Sequence, residues 1–344
     1  MTLVYLQVYS VTPVFRRALK VLGVCALTLN SLASYAEWNT TLGNTMHYTD
    51  DVALFSVTRR LSLKDDPTQP IVDRPNQGGD FVYEPKAELA WDGENSFGAV
   101  NFELEAGGYV FLDQSKFSHG IYEAQISQAF ATGTKVSLFY NFVPDLFLGQ
   151  NIYIDVERNE QEEDESLSNH YWSVHIDQAL SDSITVRLLG RYGLRVYNHP
   201  FEHRDTRFWT LGPHLEWEIT PDVELLVGYH FEEGSVNQRQ AFNFEDDVSY
   251  INQYASAELK VHLLQRLQLM LIFDYEKNDF NSPLLNDEHR GATEGVYQGE
   301  LELQYALDHG MQLKLGWQHG ERKLTTETQE IKNNNVWLGF EYAF

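Results

Sequence analysis

Apolar and polar residues alternate along most of this chain, and this alternation limits the possible folds more than any other feature. Side chains of a β-strand point to opposite faces in turn, so a run that is apolar at every second position has one apolar face to cover. Leu301, Leu303 and Tyr305, for example, alternate with Glu302 and Gln304. Fourteen runs of this kind follow one another: 51–63, 81–91, 97–109, 119–129, 133–143, 168–178, 183–197, 206–219, 223–233, 249–263, 265–276, 296–307, 310–320 and 334–344.

The connections between these runs alternate in length. Short ones (92–96, 131–132, 180–182, 220–222, 264 and 308–309) interleave with long ones (64–80, 110–118, 144–167, 198–205, 234–248, 277–295 and 321–333). Tight turns at one end and long loops at the other are typical of a transmembrane antiparallel up-and-down β-barrel. Such a barrel needs an even strand number, so the sequence predicts fourteen strands, with twelve or sixteen as alternatives. A soluble β-sandwich or jelly roll would also alternate, but the strand length and the strict rhythm favour the barrel.

The last strand ends the chain on an aromatic residue. Val336, Leu338, Phe340 and Tyr342 share one face with the terminal Phe344. This pattern resembles the C-terminal strand of bacterial outer-membrane β-barrel proteins of the porin-like kind. The resemblance implies an outer-membrane location with both termini periplasmic, and a last strand that pairs with the first. It also implies the partners of such proteins: outer-membrane lipid and lipopolysaccharide, the barrel-assembly machinery and periplasmic chaperones.

The N-terminal segment reads as a secretory signal peptide. Arg16, Arg17 and Lys20 precede an apolar run at 21–32, and small residues at 34 and 36 form a cleavage site. The predicted organisation is therefore a signal peptide at 1–36, a periplasmic lead-in at 37–50 and the barrel at 51–344. Folding into the lumen is the alternative for residues 37–50.

Charge and cysteine content exclude several classes of function. Removing Arg16, Arg17 and Lys20 with the signal peptide takes the net charge from −25 to −28, so nucleic acid is not an expected partner. Cys25 is the single cysteine and lies in the same segment, which excludes thiolate metal sites and cysteine nucleophiles from the exported chain. We expect no cofactor and no metal.

If apolar faces meet lipid, the opposite faces line the interior, and there the charged residues become candidates for solute contact. On the second and third strands these are Glu84, Lys86, Glu88, Glu103 and Glu105. Turn counting predicts Lys86 opposite Glu103, and Glu84 near Glu105.

The seventh strand carries the basic counterpart. Arg187, Arg191 and Arg195 all fall on its inward face. One interpretation is a transverse field across a water-filled pore, with an acidic wall facing a basic one. The other is local pairing, which for Arg187 predicts contacts with Asp177 and Glu216; Arg191 and Arg195 remain open to either interpretation.

Other candidates lie in the long loops. The acidic run Glu157–Glu165 is expected either to be solvated or to bind divalent cations shared with lipopolysaccharide. His170 beside Ser168, or His203 beside Asp205, resembles part of a hydrolase site, but neighbouring loop residues often form such pairs by chance. We therefore expect no catalytic residues.

The predicted function is a channel for small hydrophilic solutes, which diffuse through a wet, charge-lined lumen. The alternative is an export or scaffold barrel of an envelope secretion system for polysaccharide or protein, or a barrel that holds a partner in its lumen.

Overall fold

The computed structural model describes residues 37–58, 78–154, 159–236, 247–285, 287, 289–326 and 330–344. The predicted signal peptide lies outside the described residues. Antiparallel strands, each paired with its neighbours along the chain, close into one barrel of 14 strands. The strands are β1 Glu37–Thr49, β2 Asp80–Asn95, β3 Gly98–Phe111, β4 His119–Ala129, β5 Thr134–Ile154, β6 Glu160–Ser181, β7 Ile184–Tyr197, β8 Thr206–Thr220, β9 Val223–Val236, β10 Tyr250–Leu264, β11 Leu267–Asn281, β12 Arg290–Ala306, β13 Met311–Leu324 and β14 Ile331–Ala343. The predicted fourteen-stranded up-and-down barrel is confirmed.

Alternation along each strand separates the two faces of the barrel wall. On β14, Val336, Leu338 and Phe340 point outward and are exposed, whereas Asn335 and Trp337 point inward and are buried. The same division holds around the barrel, so the exposed face is a belt of large apolar side chains. A protein that places its apolar side chains outside and its polar ones inside is built for a lipid surround.

The seam of the barrel corrects one prediction. β14 pairs with β1, with Thr41 opposite Ala343 and Thr49 opposite Asn335. The first strand is therefore Glu37–Thr49, where the sequence predicted a periplasmic lead-in at 37–50. Of the predicted strand at 51–63, residues 52–58 are helical and residues 59–63 lie outside the described residues. Polar Asn44 interrupts the outward apolar face of β1, so the alternation there is too weak to predict a strand.

Helix α1 (Val52–Thr58) occupies the start of the segment predicted as a strand. It folds into the barrel, where Val52 and Phe55 are fully buried. The ring centroid of Phe55 lies 5.3 Å from that of Tyr109 and 5.6 Å from that of Phe111, both at inward positions of β3. Within the described residues, no helix combines the length and apolar character needed to cross a bilayer.

The root of α1 is fixed by the last strand. Nδ2 of Asn333 lies 3.0 Å from Oγ1 of Thr49 and 3.0 Å from Oδ1 of Asp50, and the N–H of Asp50 donates to the carbonyl of Asn334 at 3.2 Å. Hydrogen bonds of the backbone and of side chains thus join β14 to the residues that precede α1.

Short turns and long connections occupy opposite ends of the barrel, as predicted, with one exception. β5 continues to Ile154 and β6 begins at Glu160, so most of the predicted loop 144–167 is an extended hairpin. The acidic run from Glu157 is mainly strand rather than loop, although residues 157 and 158 lie outside the described residues. Two 3₁₀ turns, Ser115–Phe117 and His199–Arg204, lie in connections at the same end.

Candidate functional site: the barrel lumen

The lumen is lined by polar side chains, and its two ends differ. We call the end with the short turns the lower lumen and the end with the long connections the upper lumen. In the lower lumen, inward carboxylates such as Glu94, Glu216 and Glu218 are exposed. In the upper lumen, Glu232 and Asn252 are fully buried in hydrogen-bonded networks. The interior is therefore open to water below and packed above.

The predicted acidic residues do come together, but in a different register. Glu88 lies opposite Glu105, Lys86 opposite Gly107, and Ala90 opposite Glu103. The predicted pairs of Lys86 with Glu103 and of Glu84 with Glu105 are wrong. The cause is the turn: β2 and β3 are joined by residues 96 and 97 alone, not by the five residues 92–96, which shifts the pairing.

The glutamates of β2 and β3 lie close to one another and to one lysine. Nζ of Lys86 lies 2.8 Å from Oε2 of Glu105. Carboxylate oxygens of Glu88, Glu103 and Glu105 all lie within 4.8 Å of one another. We call this surface, with Glu123 of β4 opposite Glu105, the acidic wall.

Glu84 belongs to the upper lumen instead. Its Oε2 lies 2.6 Å from Nε2 of the fully buried His47. The ring of His47 meets that of Phe55 edge-on at 5.4 Å, so this polar pair lies next to helix α1. Glu84 is therefore part of the seat of α1 and separate from the acidic wall.

The three arginines of β7 point inward, as predicted. Nε of Arg187 lies 2.5 Å from Oδ1 of Asp177, its partner on β6, which confirms half of the local pairing. On the other side His214, not Glu216, lies opposite Arg187, so that predicted contact is wrong. The predicted register between β7 and β8 was therefore wrong by two residues.

Arg191 and Arg195 are buried, at 4% and 3% exposure. The guanidinium of Arg191 lies 4.7 Å from the centre of the Tyr171 ring, and its Nε donates to Ser173 at 3.4 Å. Aromatic faces stabilise such cations electrostatically.

Arg195 has an acidic partner that the sequence did not reveal. Its Nη1 donates to the hydroxyl of Tyr250 at 2.5 Å, and its Nη2 lies 3.5 Å from Oε1 of Glu232. Glu232 also accepts bonds from Tyr250 at 2.6 Å and Thr210 at 2.5 Å. Because Glu232 lies two strands away on β9, counting along adjacent strands did not find it.

Sequence reasoning also missed a buried histidine pair. Nε2 of His214 lies 2.7 Å from Nε2 of His230, and the ring centroids are 4.9 Å apart. Gly212 makes room for this contact, because a Cβ there would lie 2.2 Å from Cδ2 of His230. Two sequence signals pointed to this pair. Both histidines fall at inward positions of their strands, and the tight turn between β8 and β9 brings those positions together.

The lower lumen contains a cavity of about 350 Å³ beside the acidic wall. Its lining includes Glu37, Asp92, Glu94, Asn101 and Lys135. The Nδ2 of Asn101 donates to Oδ1 of Asp92 at 3.0 Å. This space has the volume of a small polar molecule, and carboxylates predominate among its charged groups.

Beyond the ends of the strands, Asp287 links two long connections, the one between β9 and β10 and the one between β11 and β12. It accepts the backbone N–H of Asp247 at 2.7 Å and that of His289 at 2.9 Å. Burial acts to raise the pKa of Asp287, but hydrogen bonds from His289, Ser282 and these backbone groups outweigh it and hold the pKa below its usual value.

The residues considered for hydrolysis have other contacts. Nδ1 of His170 lies 2.9 Å from the Tyr140 hydroxyl on the outward face. Oδ1 of Asp205 accepts the N–H of Tyr197 at 2.8 Å, and burial raises the pKa of Asp205. In the acidic run, Asp164 lies 2.8 Å from Lys116, and Glu165 lies 2.8 Å from Arg204.

Comparisons with known proteins identify the fold and leave the family open. No protein-family model matches the chain, and no curated protein matches its sequence. The chain is similar to the outer membrane channel DcaP of Acinetobacter baumannii, at 9% identity and a TM-score of 0.52, over 90% of this chain and 97% of that one. It also matches the anion-selective porin from Comamonas acidovorans, at 7% identity and a TM-score of 0.49, over 90% and 99% of the two chains. The fold is that of porin-like outer-membrane β-barrels.

Proposed function

We propose that this chain is a channel of the bacterial outer membrane for small hydrophilic solutes. The observation that carries the proposal is the closed 14-stranded wall with an apolar outside and a charged, partly hydrated inside. A solute in the lower lumen exchanges part of its hydration shell for the inward carboxylates and amides.

The orientation belongs to the same proposal. Both ends of the described chain, at Glu37 and Phe344, lie at the lower end, where Thr40 and Phe344 exchange two backbone bonds of 3.0 and 2.9 Å. In outer-membrane barrels the short turns are periplasmic, and this supports the proposal that both termini are periplasmic and that the long connections lie outside, beside lipopolysaccharide. The barrel-assembly machinery and periplasmic chaperones are then the partners during biogenesis.

Helix α1 constricts the path at the upper end. Its apolar side chains pack against inward residues Val82, Tyr109 and Phe111 in one buried cluster. A second buried cluster around Leu146, Leu167 and Phe201 lies at the same end. Solutes therefore pass beside α1 or after its displacement.

The second candidate is a scaffold or export barrel whose partner occupies the lumen or moves α1. The fully buried state of Val52 and Phe55 favours this candidate, since a permanently seated plug would close an isolated barrel.

Planar-bilayer recording tests the proposal. We expect wild-type protein to give discrete conductance steps, and Phe55→Ala, which loosens the α1 seat, to give larger or longer openings. Leu285→Ala is the matched control, because Leu285 is 82% exposed in an outer connection. Silence of both wild type and Phe55→Ala would contradict a channel; silence of the wild type with an open Phe55→Ala would favour the scaffold candidate.

A further inference from the structure

Carboxylates line the lower lumen on most of its strands, well beyond the acidic wall. Residues that lie opposite one another in paired strands share a face, so the strand registers identify the inward positions. In the lower halves of the strands, the inward acidic residues are Glu37 on β1; Glu88, Asp92 and Glu94 on β2; Glu103 on β3; Asp177 on β6; Glu216 and Glu218 on β8; Glu224 on β9; Glu258 on β10; Glu300 and Glu302 on β12; and Glu341 on β14. Carboxylates therefore encircle most of the bore at this end.

Cations at the same level are fewer. Among the described residues, the inward lysines and arginines of these lower halves are Lys135 on β5, Arg187 on β7, Lys260 on β10 and Lys314 on β13. Nζ of Lys260 lies 2.7 Å from Oε1 of Glu224. Nζ of Lys314 lies 2.7 Å from Oε2 of Glu341. Carboxylates outnumber cations here by about three to one, and pairing within the protein does not change the sign of the resulting net charge.

Accessibility to water is an independent observation with the same implication. Glu94, Glu216 and Glu218 are exposed at the lower end of the lumen. The side chains of Lys260 and Lys314 are 33% and 26% exposed, and each contacts a carboxylate of a neighbouring strand. The charged groups that line the 350 Å³ cavity are Glu37, Asp92, Glu94 and Lys135. A solute in the lower lumen therefore meets mainly negative charge.

The arginines of the upper lumen do not reverse this sign. Arg191, Arg195 and Arg322 are buried, at 4%, 3% and 3% exposure. Arg195 contacts Glu232, and Arg322 contacts Glu294. A buried guanidinium that is already bonded to a carboxylate of the protein offers an anion in the bore little contact. The accessible charges of the lumen are therefore predominantly acidic.

We infer that the channel prefers positively charged solutes, and that the inward carboxylates of the lower lumen select them. Rings of acidic side chains are the usual basis of cation selectivity in pores, because they replace part of a cation's hydration shell. A passage lined by one sign of charge also raises the local concentration of counter-ions and lowers that of ions of its own sign. An inorganic cation and a small organic amine are recognised by the same chemistry.

This inference rests on the proposed channel function, since selectivity requires passage. It differs from that function in naming the charge of the solute and the residues that decide it. The selecting carboxylates lie at the lower end, far from helix α1, which constricts the upper end. Displacement of α1 should therefore change the size of the conductance and leave its preference for cations in place.

Reversal potentials in planar bilayers under a potassium chloride gradient test the inference. We expect the permeability of wild-type protein to K⁺ to exceed that to Cl⁻ on the order of tenfold. The ratio should fall as the salt concentration rises from about 0.1 M to about 1 M, because the screening length shortens from about 10 Å to about 3 Å. Phe55→Ala is recorded in parallel and should show the same ratio.

A pair of matched variants identifies the selecting groups. Glu94→Gln/Glu216→Gln/Glu218→Gln removes three exposed carboxylates and should bring the permeability ratio several-fold closer to one. Glu94→Asp/Glu216→Asp/Glu218→Asp changes the same positions, keeps their charges and should retain the wild-type ratio. Folding of each variant is checked by the heat-modifiable migration of the barrel in detergent gels, and Glu218→Gln with Glu218→Asp replaces a pair that does not fold.

The outcomes separate this inference from the proposed function. Conductance without a preference for K⁺, or with a preference for Cl⁻, would overturn the inference and leave the channel intact. Equal permeability ratios for the glutamine and aspartate variants would overturn the assignment to the lower carboxylates. Silence of both wild type and Phe55→Ala would contradict the channel itself, and the inference with it.

Discussion

The acidic wall and the arginines of β7 are both sets of inward charges, but their surroundings in the structure differ. The glutamates lie at inward positions of three neighbouring strands, β2–β4, whereas the arginines lie at every second inward position of one strand. Arg187 and Arg195 each contact a carboxylate, and Arg191 lies on an aromatic ring. The glutamates of β2–β4 lie opposite one another. An inward charge is thus informative about ligands only after the neighbouring strands have been taken into account.

The two sets of charges differ in how far their side chains reach across neighbouring strands. Arg195 extends over β8 to reach Glu232 on β9, with the aromatic rings of Phe208 and Tyr250 on its faces at 4.3 and 5.5 Å. The glutamates of the acidic wall have shorter side chains and lie opposite one another, with Lys86 on Glu105. Adjacent strands thus hold these acidic side chains close together, whereas the reach of Arg195 pairs two charges across a whole strand.

Breaking the Arg195–Glu232 pair should have the largest effect. Glu232→Gln leaves a guanidinium that is 3% exposed without its carboxylate. Removing one partner of a buried pair costs about 3–5 kcal/mol, because the other charge stays desolvated. Urea unfolding in lipid vesicles, followed by tryptophan fluorescence, measures the change. Glu233→Gln, the next residue on the outward face, is the control; equal losses for the two variants would mean that Arg195 does not depend on Glu232.

Breaking the Arg187–Asp177 pair should cost less. The side chain of Arg187 is 34% exposed, so water replaces part of the lost contact. Lys135 lies opposite Asp177 on its other side and keeps a positive charge nearby. Arg187→Gln should lower the free energy of unfolding by up to about 1 kcal/mol, as expected for partly exposed ion pairs. A loss as large as that of Glu232→Gln would show that exposure does not decide the cost.

Removing a charge from the acidic wall should have the smallest effect and the opposite sign. Glu88→Gln relieves repulsion from Glu105 and should raise the free energy of unfolding by a few tenths of a kcal/mol. The gain should shrink as salt concentration increases, because screening already weakens the repulsion in the wild type. A clear destabilisation would mean that Glu88 makes a structural contact comparable to those of the arginines.

The fold was largely predictable because period-two alternation and loop rhythm are properties of local sequence. The late strands, such as β13 and β14, match their predicted positions closely. The start of the chain did not, because Asn44 interrupts the apolar face of β1 while Val52–Phe55 forms an apolar run without being a strand. An apolar run predicts burial, but not whether a helix or a strand provides it.

The lumen was predictable in composition and not in contacts. Parity assigned Glu88, Glu105 and Arg195 to the inside correctly. Their partners depend on register, which changes with every residue gained or lost in a turn. The turn at residues 96 and 97 changed the predicted pairing of the acidic wall, and the reach of Arg195 over a whole strand exceeded what adjacent pairing can predict.

The bonds from Asn333 to Thr49 and Asp50 have a consequence for the order of events during biogenesis. Helix α1 belongs to the beginning of the chain, yet its root is held by a residue near the very end. Without the final strand, the packing of α1 against Val82 on β2 and against Tyr109 and Phe111 on β3 remains available, but the bonds from Asn333 are missing. Closing the wall therefore also fixes the root of the helix that narrows the bore.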